Sequence, residues 1–278
     1  MKVRAFYVYS DPLQNSHHPC MNPDQPMLTI DGLSKNYGDF QAVSGLSLTT
    51  GAGEIFALLG PNGAGKTTTI RMLMGILQPS GGTARIDGLD CFADRVEVKR
   101  RVGYLPDEPV FYDYLRGREL LNFVTAMHGI PGAVAKERTA PLIERLDLGD
   151  ALEDYAVNYS RGMKKKLALI CALVHDPLLL ILDEPTSGLD PIACRVVHEL
   201  LREKAAAGHA VFYSTHILTE AEALCQRAAI LMKGRLAACG DIADLRADLA
   251  PGGSLEDIFF AVAAQAEHEA VEPAVGKS

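Results

Sequence analysis

Residues 60–68 read Gly-Pro-Asn-Gly-Ala-Gly-Lys-Thr-Thr, and no other stretch limits the possible folds as strongly. They fit the pattern G-x-x-x-x-G-K-[ST], from Gly60 through Gly65 and Lys66 to Thr67, which carries meaning only between a strand and a helix. Both flanks are present. Glu54–Leu59 is a short apolar run of strand length, and Lys66–Leu77 gathers its apolar residues on one side of a helix. The three glycines let the backbone curl so that successive N–H groups converge on an anion. The helix that follows adds the positive end of its dipole. Asn62, Gly63, Ala64 and Gly65 provide that cradle, and Lys66 a point charge for the outer phosphates. Thr67 provides a hydroxyl for Mg2+, and Thr68 closes the run. A glycine-rich turn with a surface lysine would explain the loop alone, but not its flanks. The expectation is a site for a Mg2+-nucleoside triphosphate.

The rest of the composition narrows the class. A chain of 278 residues has room for one large domain or two small ones and for a sizeable core. A formal net charge of −8 argues against sequence-blind nucleic-acid binding, which needs a basic face. The cysteines, at positions 20, 91, 171, 194, 225 and 239, form no C-x-x-C pair and no zinc or disulfide spacing. They read as small core residues in a reducing compartment. His17-His18-Pro19-Cys20 sits in a Pro/Asn/Ser-rich stretch and reads as solvated tail rather than metal site. No signal-peptide pattern and no bilayer-length apolar run occur. A cytosolic protein, or one attached to a membrane only through a partner, is expected.

Along the chain, Met1–Ser10 has some strand character, and residues 1–26 as a whole read as a polar extension before a regular pattern starts at Met27. Leu28–Asp31 and Ala42–Thr50 alternate with period two and read as strands, with Lys35–Phe40 connecting them. Thr83–Asp87 reads as a further strand, Arg95–Arg101 as a basic helix and Val102–Pro106 as a strand ending at proline. From Leu115 to Leu173 the period changes to 3.6, with helices expected at Arg118–Met127, Ala133–Leu146 and Met163–Val174. Pro177–Asp183 then returns as a strand buried on both faces. Helices Ile192–Ala207 and Leu218–Leu224 alternate with strands Ala210–Ser214, Ala228–Met232 and Arg235–Ala238. Asp241–Leu249 and Leu255–Ala264 read as terminal helices, with a polar tail from His268. The expected fold is α/β: a P-loop NTPase core with an antiparallel β subdomain and an inserted α-helical subdomain. The nucleotide domain would span 27–240, its helical subdomain about 107–175, and a short C-terminal extension 241–278.

Leu180-Ile181-Leu182-Asp183-Glu184-Pro185 puts two carboxylates at the end of a buried strand. In a P-loop fold, an acid there reaches Mg2+, directly or through water. Asp183 is the expected magnesium acid, and Glu184 is placed to polarise an attacking water. Two ordinary surface acids would fit the segment alone; the phosphate loop upstream favours the site. Ser214-Thr215-His216 follows the next strand, where a histidine reaches a γ-phosphate. A lone histidine is more often structural, and only its register with the other strand ends promotes His216.

From about Leu28 to Gly240, these segments resemble the ATP-binding subunit of an ABC transporter, with the motifs in that family's order. The resemblance implies that Tyr37 stacks on adenine with Val43 nearby, and that Gly60–Thr68 is the Walker A loop. It makes Leu178–Glu184 Walker B, Ser187-Gly188-Leu189-Asp190 the D-loop and His216 the switch histidine. Tyr159-Ser160-Arg161-Gly162-Met163 stands where the family has its Leu-Ser-Gly-Gly-Gln signature. In the family this surface binds the γ-phosphate held by the opposite subunit, so two chains sandwich two ATP molecules. Ser160 and Gly162, opening a helix, offer a hydroxyl, N–H groups and a positive dipole. Ser160 also suits a plain helix cap, and both readings are compatible.

The resemblance implies as partners a second ATP-binding subunit, forming a homodimer, and a separate transmembrane permease. It places the chain on the cytoplasmic face of the inner membrane through that permease. Two departures stand out. Arg161 and Met163 replace the signature's Gly and Gln, and Asp107-Glu108 stands where the family carries Gln after the Gly-Tyr-Leu-Pro strand. Asp107 still offers an oxygen for Mg2+ or water, but is shorter and charged. The aromatic run Pro109–Leu115 suits the groove that, in the family, receives a short helix of the membrane subunit; packing within the helical subdomain is the alternative. The signature form and the short C-terminus resemble exporters of drugs, lipids or polysaccharides. Other readings are a soluble ABC ATPase acting on ribosomes or DNA, and a regulatory nucleotide-binding module with low turnover. Against the first stand the acidic balance and the lack of a second domain or a coiled-coil insertion. Against the second stands Glu184. No direct nucleic-acid contact is expected.

Overall fold

The computed structural model describes residues 26–271. The chain enters on β1 (Leu28–Tyr37) and β2 (Phe40–Thr50), an antiparallel pair whose register ends on Tyr37 opposite Phe40. The turn is therefore Gly38-Asp39, with Gly38 at φ +57° supplying the left-handed residue that a two-residue hairpin needs. In the expected connection Lys35–Phe40 only Gly38 and Asp39 lie outside the strands. Register shifts between Ile30 and Leu33, Leu33 and Lys35, and Lys35 and Asn36 break the alternation that would have marked it.

β3 (Ile55–Leu59) follows, then the phosphate loop and α1 (Lys66–Leu73). The helix stops short of Leu77. Gly75 lies at φ +60°, and a Cβ there would meet Cys91 O at 2.4 Å, so the chain turns on a residue without a side chain. β4 (Gly81–Ile86) and the short β5 (Leu89–Asp90) form a hairpin around Asp87 and Gly88, both at positive φ. β2, β1, β4 and β5 make one antiparallel sheet in that order. Next come α2 (Arg95–Arg101) and β6 (Val102–Leu105). Three helices follow before the next strand: α3 (Gly117–Met127), α4 (Gly132–Arg145) and α5 (Arg161–Leu173). β7 (Leu179–Asp183), α6 (Pro191–Ala206), β8 (Ala210–Thr215), α7 (Leu218–Leu224) and β9 (Arg227–Met232) restore alternation. β10 (Arg235–Asp241), α8 (Ile242–Leu249) and α9 (Leu255–Val271) end the described chain. α9 runs beyond the expected Ala264 and through the start of the expected polar tail, along an Ala/Glu/Gln-rich stretch of strong helix formers.

The second sheet has the order β10-β9-β3-β8-β7-β6, parallel except for β10. β3, β7 and β8 are buried at every position, as parallel strands covered on both faces must be. Ile55, Ala57 and Leu59 face the core under α5, α6 and α9, while Phe56 and Leu58 face the core shared with α1 and the antiparallel sheet. The sheet thus separates two apolar layers, and Phe56 stacks on Phe212 across β3 and β8 at 5.8 Å. Leu180, fully buried in β7, belongs to the first layer. Leu180→Ala is expected to lower the stability measured by urea unfolding by about 2–5 kcal/mol, the transfer loss plus the cavity left behind. Among the described residues no helix is long and apolar enough to cross a membrane.

This topology decides where chemistry is placed. β3, β7 and β8 are adjacent and parallel, and their registers bring Leu59 beside Thr215 and Asp183 beside Ser214. Their carboxyl ends open together, which in open α/β sheets is where ligands bind.

Candidate active site

The loop after β3 is shaped by glycines where no other residue fits. Gly60 lies at φ +156°, and a Cβ would meet Leu231 O at 2.5 Å. Gly65, at φ +106°, would meet Ala42 O at 2.7 Å. The loop therefore lies directly against β9 and β2, with fully buried Val43 beneath Gly65. Lys66 opens α1 and is 6% exposed. Its Nζ donates to Gly60 O at 2.7 Å and to Pro61 O at 3.2 Å, and lies 3.8 Å from Glu184 Oε1. Burial pushes the Lys66 ammonium pKa down, against the pull of the Glu184, Asp183 and Asp107 carboxylates.

The strand ends supply the acids. Thr67 Oγ1 donates to Asp183 Oδ2 at 2.9 Å, and Ser214 Oγ donates to Asp183 Oδ1, so hydroxyls hold both oxygens of a carboxylate that is 1% exposed. Glu184 is buried, and its Oε2 lies 2.9 Å from His216 Nδ1. The loop, Glu184, Asp107, Tyr37 and Phe40 line a cavity of about 290 Å3. Tyr37 and Phe40 stand at its mouth, 49% and 65% exposed, with Lys35 Nζ over the Tyr37 ring at 5.3 Å from its centre. The structure thus brings together Tyr37, Asn62, Gly63, Ala64, Gly65, Lys66, Thr67, Thr68, Asp107 and Glu184 around one cavity, with Asp183 and His216 bonded to its wall. Val43 forms part of the floor rather than the lining.

Three of the expected residues lie outside it. Ser160 caps α5, its Oγ accepting from the Met163 N–H at 3.2 Å. Gly162 packs so closely that a Cβ would lie 3.0 Å from Gly188 O. Asp190 caps α6, accepting from the Ile192 and Ala193 N–H groups at 3.0 and 2.9 Å. Ser160 and Asp190 are exposed.

Sequence reasoning missed several supports. Phe40 was assigned to a connection, although its pairing with Tyr37 puts both rings at the same hairpin end. Glu220 on α7 accepts from Thr186 Oγ1 at 2.7 Å and from Tyr213 OH at 2.8 Å, tying the segment after Glu184 to the helix after His216. Burial pushes the Glu220 carboxyl up, but His198, 3.7 Å away, and the hydrogen bonds from Thr186 and Tyr213 outweigh it and hold it below its ordinary value. Neither residue belongs to a motif, so only tertiary contact reveals them.

The donors fit a magnesium nucleotide. Mg2+ takes hard oxygens, commonly one or two carboxylates with the remaining positions filled by water and phosphate. Thr67 and Asp183 offer such a pair at the foot of the N–H cradle. Among the described residues no cluster of three or more His, Cys, Asp or Glu side chains forms a metal site made by protein alone.

The chain is similar to known proteins. Residues 43–187 match the family model described as ABC transporter. The chain is 42% identical over 206 residues to an uncharacterized ABC transporter ATP-binding protein of Nostoc, covering 73% of this chain and 61% of that one. It is 40% identical over 227 residues to the daunorubicin/doxorubicin resistance ATP-binding protein DrrA of Streptomyces peucetius, covering 81% of this chain and 69% of that one. A solved structure of the ATP-binding subunit of an ABC transporter superposes with a TM-score of 0.82 at 33% identity, covering 85% of this chain and 99% of the other.

Proposed function

The chain belongs to the ABC transporter family as an ATP-binding subunit, and we propose that it hydrolyses ATP to drive a separate transmembrane subunit in export. The observation that carries this reading is the convergence at three adjacent strand ends: the Lys66 loop, the Thr67–Asp183 pair and the Glu184–His216 pair, all at one cavity.

Each residue then has a task. The N–H groups from Asn62 to Thr68 bind the phosphates, and Lys66 turns its ammonium from the loop carbonyls to the outer phosphates. Tyr37 and Phe40 provide stacking faces for the base. Thr67, Asp183 and Asp107 are the oxygen donors that would hold Mg2+; when bound, it neutralises charge developing on the phosphates. Glu184 takes the proton of the attacking water. His216, bonded to Glu184, orients that carboxylate and senses the γ-phosphate.

Ser160, Gly162 and Asp190 have no part in the cavity of their own chain. Their exposed edge supports a homodimer in which each chain completes the other's site. A permease contact is supported by the groove of about 670 Å3 lined by Phe111, Tyr112, Tyr114, Leu115 and Phe123. Tyr112 and Tyr114 are 68% and 84% exposed there, more aromatic surface than a solvated loop requires. The reading divides the chain into a nucleotide domain, 27–240, with its helical subdomain at 107–175, and a C-terminal extension. The extension before Met27 lies outside the described residues, apart from Pro26. Export of a drug, lipid or polysaccharide rests on relatives such as DrrA and the linearmycin resistance protein LnrL of Bacillus subtilis.

The test is co-purification of the tagged chain from its native membranes. A polytopic membrane protein is expected with it, on the cytoplasmic face. Recovery with ribosomes or DNA and without a membrane partner would replace the transporter reading with a soluble ATPase.

A further inference from the structure

Glu184 carries the proposed chemistry, and its backbone is unusual. Its φ is +49°, in the left-handed region that a residue with a Cβ rarely occupies. Such a conformation persists only where the surroundings hold it. On one side, the Glu184 N–H donates to Ser214 O at 3.0 Å. On the other, the Glu184 carbonyl accepts from the Ser187 N–H at 3.2 Å and from Lys165 Nζ at 2.6 Å. Lys165 alone among the described residues holds this backbone with a side chain.

Lys165 breaks ordinary rules itself. It sits in the second turn of α5 and is 1% exposed, whereas lysine is almost never fully buried unless paired. Its counterion is Asp107, whose Oδ1 lies 3.3 Å from Lys165 Nζ. Arg161, one helical turn earlier, shares that oxygen at 3.3 Å and reaches Ser187 Oγ at 3.2 Å. One face of α5 therefore grips both the segment after β6 and the segment after β7. Asp107-Glu108 stands where the family carries a neutral glutamine, and a glutamine would leave the buried ammonium without a carboxylate.

We propose that Lys165 is a positioning residue. Its bond to the Glu184 carbonyl, with Asp107 as counterion, holds the left-handed turn that aims the Glu184 carboxylate at Lys66 and His216. Lys165 does not line the cavity; it acts through Glu184 and takes no part in binding nucleotide. The inference rests on the reading of Glu184 as general base.

The experiment uses the purified full-length chain and its Lys165→Met, Lys165→Arg and Glu184→Gln variants. Steady-state ATP hydrolysis, affinity for a fluorescent ATP analogue and the thermal midpoint are measured for each. Lys165→Met is expected to lower kcat by about 10–100-fold, the scale of an ångström-sized misplacement, with affinity within about threefold of wild type. Lys165→Arg keeps the charge and the donors and is expected to restore most of kcat. A Lys165→Met rate within about threefold of wild type, with Glu184→Gln inactive, overturns the inference and spares the base. A wild-type rate in Glu184→Gln removes the base and this inference with it. Parallel losses in kcat and affinity, or a collapsed thermal midpoint without rescue by arginine, mark Lys165 as merely structural and also overturn it.

Discussion

Glu184→Gln is expected to slow ATP turnover by ~10²–10⁴-fold, the contribution of a positioned general base, while ATP binding persists. The substitution is nearly isosteric. The amide keeps a hydrogen-bonding partner for His216 Nδ1, now 2.9 Å from the carboxylate, and leaves the Lys66 contacts to Gly60 and Pro61 in place. What it removes is the capacity to take a proton, so the cradle keeps its ligand and the water loses its base. If a second chain completes the site through Ser160 and Gly162, undischarged ATP should also hold two chains together. Size-exclusion chromatography with Mg2+-ATP would then show a dimer for the variant, and a monomer with Mg2+-ADP. Hydrolysis at the wild-type rate would take the role of base away from Glu184.

What could be read from the sequence follows from which features are local. The phosphate loop was legible because its glycines answer backbone demands, such as the 2.5 Å approach a Gly60 Cβ would make to Leu231 O. The order of strands and helices was legible because β3, β7 and β8, buried at every residue, appear as apolar runs. Both strands of the β1–β2 hairpin were legible over Leu28–Asp31 and Ala42–Thr50, but the far end of β1 was not, because its register shifts destroy the alternation on which strand recognition depends. β5 was missed because two residues leave no period, and only the positive φ of Asp87 and Gly88 makes the turn. Within Lys164-Lys165-Lys166 the helical phase turns Lys165 alone into the interior. Its partners, Asp107 and the Glu184 carbonyl, lie 58 and 19 residues away in sequence. Side chains whose purpose is set by distant backbone leave no pattern in their own neighbourhood.

Lys66→Ala should fail in the opposite way from Glu184→Gln, by losing the ligand instead of the chemistry. Lys66 is 6% exposed, and its ammonium gathers two carbonyls and, at 3.8 Å, the Glu184 carboxylate. A hydrogen bond to a charged group is worth about 1.5–3 kcal/mol, so its loss should weaken ATP binding by roughly 10–150-fold. Alanine also removes the protein's own cation from between the Glu184 carboxylate and the incoming phosphates. The electrostatic cost therefore rises with each phosphate added, and the loss of affinity should be larger for ATP than for ADP. Titration calorimetry of both nucleotides with Mg2+ separates these contributions. Equal losses for ATP and ADP would place the ammonium on the inner phosphates. Unchanged affinity for both would move the nucleotide away from the cavity beneath Tyr37 and Phe40.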